Sequence, residues 1–202
     1  MADSYFTIIR NSEAQFREKM SRFISFACKV TTAEQAKAII KDYQNSYHDA
    51  RHVCWAYMLG PERTDWQLND NGEPSGTAGK PILGQINSRN LTDVLVVVVR
   101  YFGGIKLGTP GLIAAYREAA SLALDEAGTE ERHRRSAVKV TFPYVAADGV
   151  MKIVKANDLE VTERSFDNTC SMVLTFRFDE ASEILGRLRS LDGVMVEELG
   201  EV

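Results

Sequence analysis

The run Val94-Leu95-Val96-Val97-Val98-Val99, closed by Arg100, constrains this chain more than any other stretch. β-Branched side chains have little χ1 freedom to lose and suit a pleated strand. No polar residue alternates with them, so both faces of the strand are expected to be covered, in mid-sheet or between layers. Glycine-rich loops flank the run. Asp70-Asn71-Gly72-Glu73-Pro74-Ser75-Gly76-Thr77-Ala78-Gly79-Lys80 precedes it, and Gly103-Gly104-Ile105-Lys106-Leu107-Gly108-Thr109-Pro110-Gly111 follows it. Two such loops around one buried strand admit three readings: a binding site, a catalytic site, or glycines that serve only tight turns and close packing.

Periodicity organises the rest. Residues 21–30 and 52–59 read as strands. Thr32 and Gln35 have capping-box spacing at the start of a helix ending near Ser46, with Ala36, Ile39, Ile40 and Tyr43 as its buried stripe. Residues 66–68 suggest a short strand. Ile82, Leu83 and Ile86 keep helical spacing, with Pro81 in the first turn, where its missing N–H costs nothing. Residues 111–128 form a second strong helix, with Leu112, Ala115, Tyr116, Ala119, Leu122 and Ala123 inward and Gly128 closing it. The polar stretch 129–135 then marks a boundary. Beyond it come a strand (137–142), a helix (144–156), a strand (159–166), a turn at Asp167-Asn168, a strand (170–178), a helix (180–191) and a strand (194–199). That order, βαββαβ, is the split-βαβ or ferredoxin-like pattern. The expectation is an α+β protein with an N-terminal domain over residues 1–132 and a ferredoxin-like domain over residues 133–202.

The chain has 202 residues, 45% of them hydrophobic and 26% charged, as in ordinary globular domains. No apolar run approaches the ~18–20 residues of a membrane span. The first residues lack a basic region followed by a long apolar core, so a cytoplasmic location is expected, with no membrane partner. A net charge of −4 gives no general attraction to nucleic acid. Any such contact needs a local basic patch, and the richest run is Arg132-His133-Arg134-Arg135, which also reads as a solvated linker. Cys28, Cys54 and Cys170 sit in apolar runs without a CxxC and are expected to be reduced and packed.

Residue type and spacing bear on several chemistries. Gly79-Lys80 resembles a phosphate loop, but the template needs glycine where Pro74 stands and a hydroxyl where Pro81 stands, so nucleotide hydrolysis is not indicated. A weaker anion site survives: Gly76, Gly79 and Lys80 precede one helix, and Gly103, Gly104, Lys106 and Gly108 precede another. With Arg100 they could converge on a phosphate or carboxylate. Asp70 and Glu73 are the acid–base candidates, set against the plain turn chemistry of Asp-Asn-Gly. His48, His52 and Cys54 hint at a metal but lack a fourth ligand. No cofactor, metal or G-x-S-x-G nucleophile is expected.

Three sets of residues also carry a resemblance. They are D-N-G-E-P-S-G-T-A-G-K-P-I-L (70–83), V-V-V-R-Y-F-G-G-I-K-L-G (97–108) and G-L-I-x-A-Y (111–116), with supporting matches at 19–24 and 50–56. Together they strongly resemble the IMPACT family, in its bacterial YigZ-type branch, over essentially the whole chain. Here Thr109-Pro110-Gly111 stands where many bacterial members have Thr-Gly-Gly. The resemblance implies an N-terminal domain like the second domain of a small-subunit ribosomal protein, a superfamily that includes domain IV of elongation factor G. It also implies a ferredoxin-like C-terminal domain related to one in the same factor. Eukaryotic relatives regulate translation by competing for the activator of a kinase that bacteria lack, and the family has no established reaction. The expected function is a translation-associated binding protein that meets RNA or a ribosome-linked partner through Lys80, Arg100, Lys106 and the loop amides. The alternative is an enzyme acting on a small anionic substrate between the loops, with Asp70 or Glu73 as acid or base.

Overall fold

The computed structural model describes residues 4–166 and 169–201. The chain divides into one compact unit at Tyr5–Arg132 and another from His133 onward. The turn expected at Asp167-Asn168 lies outside the described residues.

The N-terminal unit is built on a five-stranded sheet. In chain order its elements are β1 (Ser4–Ile8), β2 (Ser12–Glu18), β3 (Ser21–Lys29), α1 (Ala33–Ser46), β4 (His52–Leu59), β5 (Asp65–Asn69), α2 (Gly79–Ser88), β6 (Val94–Tyr101), α3 (Gly108–Ala127) and β7 (Thr129–His133). The sheet order is β2-β3-β6-β4-β5, and β1 pairs separately with β7. All four pairings in the main sheet are antiparallel. The valine run is therefore the central strand, β6, and it feeds two cores. Val94, Val96 and Val98 pack with Ile82 and Ile86 of α2 and with Ala115, Ala119 and Leu124 of α3. Leu95, Val97 and Val99 pack with Phe26, Tyr57 and the α1 residues Ala36 and Ile40. The both-faces-covered expectation thus has a direct cause: helices on either side of one sheet.

Local chemistry explains several boundaries. Thr32 caps α1 by accepting the Gln35 N–H at 3.2 Å. The Gln35 side chain answers by accepting from Thr31 N, one residue before the expected partner. Helix α3 begins at Gly108, earlier than expected, because Pro110 is tolerated in a first turn. Strand β2 was not expected. Its sequence, SEAQFRE, is polar and helix-compatible, yet burial alternates residue by residue as befits an edge strand. Ala14 and Phe16 supply its inward face. The two-residue link from β2 to β3 places Lys19 at φ 42 and Met20 at φ 68, the left-handed pair that a tight hairpin turn requires.

The second unit contains β8 (Arg135–Phe142), α4 (Ala147–Ala156), β9 (Glu160–Phe166), β10 (Cys170–Arg177), α5 (Ala181–Arg189) and β11 (Met195–Glu201), with short 3₁₀ turns before each helix. Its sheet order is β11-β8-β10-β9. Val138, Val140, Phe142, Met172, Leu174 and Phe176 form the sheet side of its core, facing Val150, Ile153, Ile184 and Leu188 of the helices.

The basic run does not form a free patch. Residues 129–133 are strand rather than linker, and Arg132 pairs with Glu130 at 2.8 Å. Arg134 is buried and donates from Nε to Glu201 at 2.9 Å, and Arg135 pairs with Glu160 at 2.7 Å. All three cysteines are unpaired and buried.

Candidate functional site

The site forms where β6 ends. Its floor is an ion pair, Arg100 Nη1 to Glu73 Oε1 at 2.6 Å, with the side chains 6% and 4% exposed. Each partner is held by other elements. Tyr116 of α3 donates its hydroxyl to the same Glu73 oxygen at 2.8 Å. His52 of β4 brings Nε2 to 3.8 Å from it, while its Nδ1 lies 2.9 Å from the Asn71 carbonyl. A carbonyl can only accept, so Nδ1 carries the proton. Arg100 Nη2 donates to Ser21 Oγ of β3 at 3.3 Å, and the guanidinium lies over the Phe23 and Phe102 rings. Burial of two charges costs several kcal/mol per ion before their attraction offsets it. The pair is therefore better read as a device that fixes side-chain positions than as net stabilisation.

Above this floor is a pocket of about 430 Å³, within the range of small-molecule sites. Leu107 and Leu112 give it apolar walls, and Arg51, Phe102, Lys106 and Thr109 form its rim with the start of α3. Arg51, Phe102 and Lys106 are exposed. Among the described residues, no carboxylate pairs with Arg51 or Lys106.

The expected anion-binding residues are divided by the fold. Arg100, Lys106 and Gly108 line this pocket. Gly76 and Lys80 line a different depression, beside Arg117. The amides of Gly76 and Gly79 are already engaged. Asp70 accepts Gly76 N–H at 2.8 Å, Ala78 N–H at 3.0 Å and Gly79 N–H at 2.8 Å. A carboxylate of the protein thus occupies the anion seat at the N-terminus of α2, whose own N-cap residue, Ala78, offers no side chain for the purpose. Asp70 caps the helix with both of its carboxylate oxygens. Gly103 turns its amide toward Ser21 Oγ at 3.4 Å, and Gly104 is exposed at φ +90 in open space.

The cap makes a prediction. Replacing Asp70 with alanine is expected to cost about 2 kcal/mol, the scale for charged hydrogen bonds to a helix start. Burial raises the Asp70 pKa, but the three amide bonds and nearby Lys80 outweigh it, leaving the group below its usual value. A depressed native pKa stabilises the fold above the unfolded value of about 3.9 and loses that contribution as pH falls through the native one. Urea unfolding of wild type and Asp70→Ala should therefore differ at pH 7, and the gap should narrow below about pH 4.

The cysteine and histidine candidates go elsewhere. Cys54 donates its thiol to the Asp70 carbonyl at 2.9 Å and lies 3.4 Å from the Tyr116 hydroxyl. Burial, above all, pushes that thiol up to about 12, which keeps it protonated. His48 contacts the Asn45 carbonyl at the end of α1. Among the described residues no group of three or more His, Cys, Asp or Glu is placed to hold a metal. Sequence reasoning passed over Tyr116, Arg51, Phe102 and Ser21 as site residues. Tyr116 looked like a helix-core position, and its only signal was that a buried hydroxyl needs a partner.

Fold and pocket together define a mixed α+β protein with a ligand-sized site on its N-terminal unit. Residues 19–124 match the Impact N-terminal domain. An IMPACT family member from Haemophilus influenzae is 33% identical over 171 residues, 83% of each chain. The chain belongs to the IMPACT family. YvyE of Bacillus subtilis is 42% identical over 132 residues, which span 65% of this chain but 61% of that protein. The Saccharomyces cerevisiae IMPACT homolog is 33% identical over 96 residues, 36% of its length. A solved structure titled only as that of a hypothetical protein superposes with a TM-score of 0.73 at 27% identity, over 97% of both chains.

Proposed function

We propose that this chain is a translation-associated binding protein whose N-terminal unit docks on RNA through the rim of the pocket. The observation that carries this reading is the pairing pattern. Arg100 is neutralised by Glu73 and the run 132–135 by its own carboxylates. Arg51 and Lys106 are left as rim cations beside an exposed aromatic, Phe102. Cations track a phosphate backbone while an aromatic face accepts an unstacked base. The family resemblance supplies the translation context. The ribosomal-protein-like and elongation-factor-like domain assignments belong to the same proposal. In their support, the C-terminal βαββαβ unit has the sheet order β11-β8-β10-β9, with its two central strands β8 and β10 adjacent, as a split βαβ arrangement requires. A cytoplasmic setting follows from that context, and no helix among the described residues is long and apolar enough to cross a membrane.

The test is RNA binding against salt. Affinity should fall steeply with added salt. Arg51→Ala with Lys106→Ala should weaken binding and lower the salt slope by about one for each cation removed. Lys80→Ala, on the separate depression, should leave both unchanged. Absence of binding at low salt, or an unchanged slope in the double variant, overturns the proposal.

A further inference from the structure

We propose that the pocket above Glu73 holds one unstacked nucleotide, with its phosphate at the rim and a base N–H on the floor. The inference rests on the rim reading above and extends it from backbone contact to recognition of a single nucleotide.

The floor carries the argument. Glu73 Oε1 takes both hydrogen bonds that reach the carboxylate, from Arg100 and Tyr116. Oε2 receives none from a described residue, although the side chain is only 4% exposed and lines the pocket. An unbonded carboxylate oxygen that is not enclosed by the protein is open to the pocket, where it can accept a hydrogen bond from a ligand N–H. The floor is a matched ion pair with no spare positive charge, whereas the rim carries unmatched cations, which orients a phosphorylated ligand. Its phosphate stays at the rim near Arg51, Lys106 and the start of α3, where the helix dipole adds to the attraction.

The space between selects for a flat, largely apolar body. Phe102 is 40% exposed and has the Arg100 guanidinium 5.6 Å from its ring centroid. That cation holds the ring in place, and the ring's exposed surface is available for a base to stack on. A sugar phosphate would set a ring of hydroxyls against these apolar walls, leaving polar groups unmatched. A nucleobase offers a stacking face and edge N–H donors at opposite ends of the same molecule from its phosphate. Whether the nucleotide is free or an unpaired residue of an RNA, the recognised chemistry is the same.

The closing experiment titrates the full chain with AMP, GMP, CMP and UMP, with inorganic phosphate and with the matching nucleosides. The tightest nucleotide is then compared with its analogue lacking the base N–H: purine riboside 5′-monophosphate for AMP, the N3-methyl form for UMP, the N4,N4-dimethyl form for CMP and the N1,N2,N2-trimethyl form for GMP. Removing Glu73 would also strip Arg100 of its counter-ion, so the donor is deleted on the ligand instead. The expected result is at least about tenfold weaker binding without the N–H, the scale for a hydrogen bond to a charged group. Phe102→Ala should cost a further fall of about tenfold through lost stacking. A single-stranded RNA competitor distinguishes the sources: displacement by RNA shows that the site accepts a residue of a strand, and AMP-type binding without RNA displacement shows a free nucleotide. Equal affinity of nucleotide and N–H-deleted analogue, or no nucleotide binding tighter than inorganic phosphate, overturns the inference. If RNA still binds with the salt slope given above, the rim reading stands alone. Donor-dependent nucleotide binding with no RNA binding would retain the pocket and remove the RNA reading.

Discussion

Replacing Arg100 with methionine is expected to destabilise the N-terminal unit by about 3–5 kcal/mol, the cost of leaving a buried partner charge uncompensated. Glu73 would keep Tyr116 as a donor and His52 at 3.8 Å, but its charge would face an apolar stem. The double variant Arg100→Met with Glu73→Gln removes both charges and keeps an acceptor for Tyr116. It should recover much of the loss, because an uncharged pair of similar size avoids the desolvation cost altogether. Urea unfolding of the two variants and the wild type gives the comparison. If the double variant is as unstable as the single one, packing around the guanidinium, and not its charge, holds this floor together. The outcome also separates stability from binding: the double variant should fold well and still lose donor-dependent recognition in the pocket.

The second large effect is steric. A Cβ on Gly103 would lie 2.0 Å from the carbonyl carbon of Met20, 2.1 Å from its oxygen and 2.5 Å from the Ser21 nitrogen. These are backbone atoms of a hairpin turn and cannot rotate away. Gly103→Ala is expected to cost at least about 3 kcal/mol, toward the upper end of overpacking penalties, or to displace the loop that carries Phe102 and Lys106. Gly84→Ala is the matched control. An added Cβ there meets nothing within 4 Å, and the position is exposed inside α2. Alanine should stabilise it by roughly 0.5–1 kcal/mol through lost chain entropy. Thermal midpoints moving in opposite directions would verify both, and a small effect at Gly103 would mean that the loop is free to move.

The central strand was legible because its signal is local and redundant: a run of β-branched residues with no polar alternation admits few structures. Helix α1 was legible for the same reason, through Thr32 and its buried stripe. Strand β2 was not, since an edge strand buries only Ala14 and Phe16, and the rest of its sequence favours a helix as readily. The site was half legible. Glycines before helices mark backbone amides that need an acceptor, and on that signal the two loops look alike. What separated them was Asp70, whose carboxylate folds back on amides six, eight and nine residues along. No periodic pattern encodes that contact. Glu73 and Arg100 are 27 positions apart and meet only because the sheet brings them together. Lys80 and Lys106 have similar local settings, yet one sits beside a filled anion seat and the other on the rim of a pocket.

The turn at Lys19-Met20 has a bearing on how this chain can change in length. Strands β2 and β3 pair from Glu18 opposite Ser21 through to Ser12 opposite Ala27, so the two-residue turn sets the pairing for the whole hairpin. One inserted residue, unless absorbed as a bulge, would turn Ala14 and Phe16 to solvent and send Glu13 and Arg17 into the core. It would also remove the flat backbone against which Gly103 rests. Both turn positions have positive φ, so glycine, asparagine or aspartate fits this corner best, and the number of residues is fixed as well. This corner works as a ruler for one edge of the sheet and, through Gly103, for the loop that carries Phe102 and Lys106 to the mouth of the pocket.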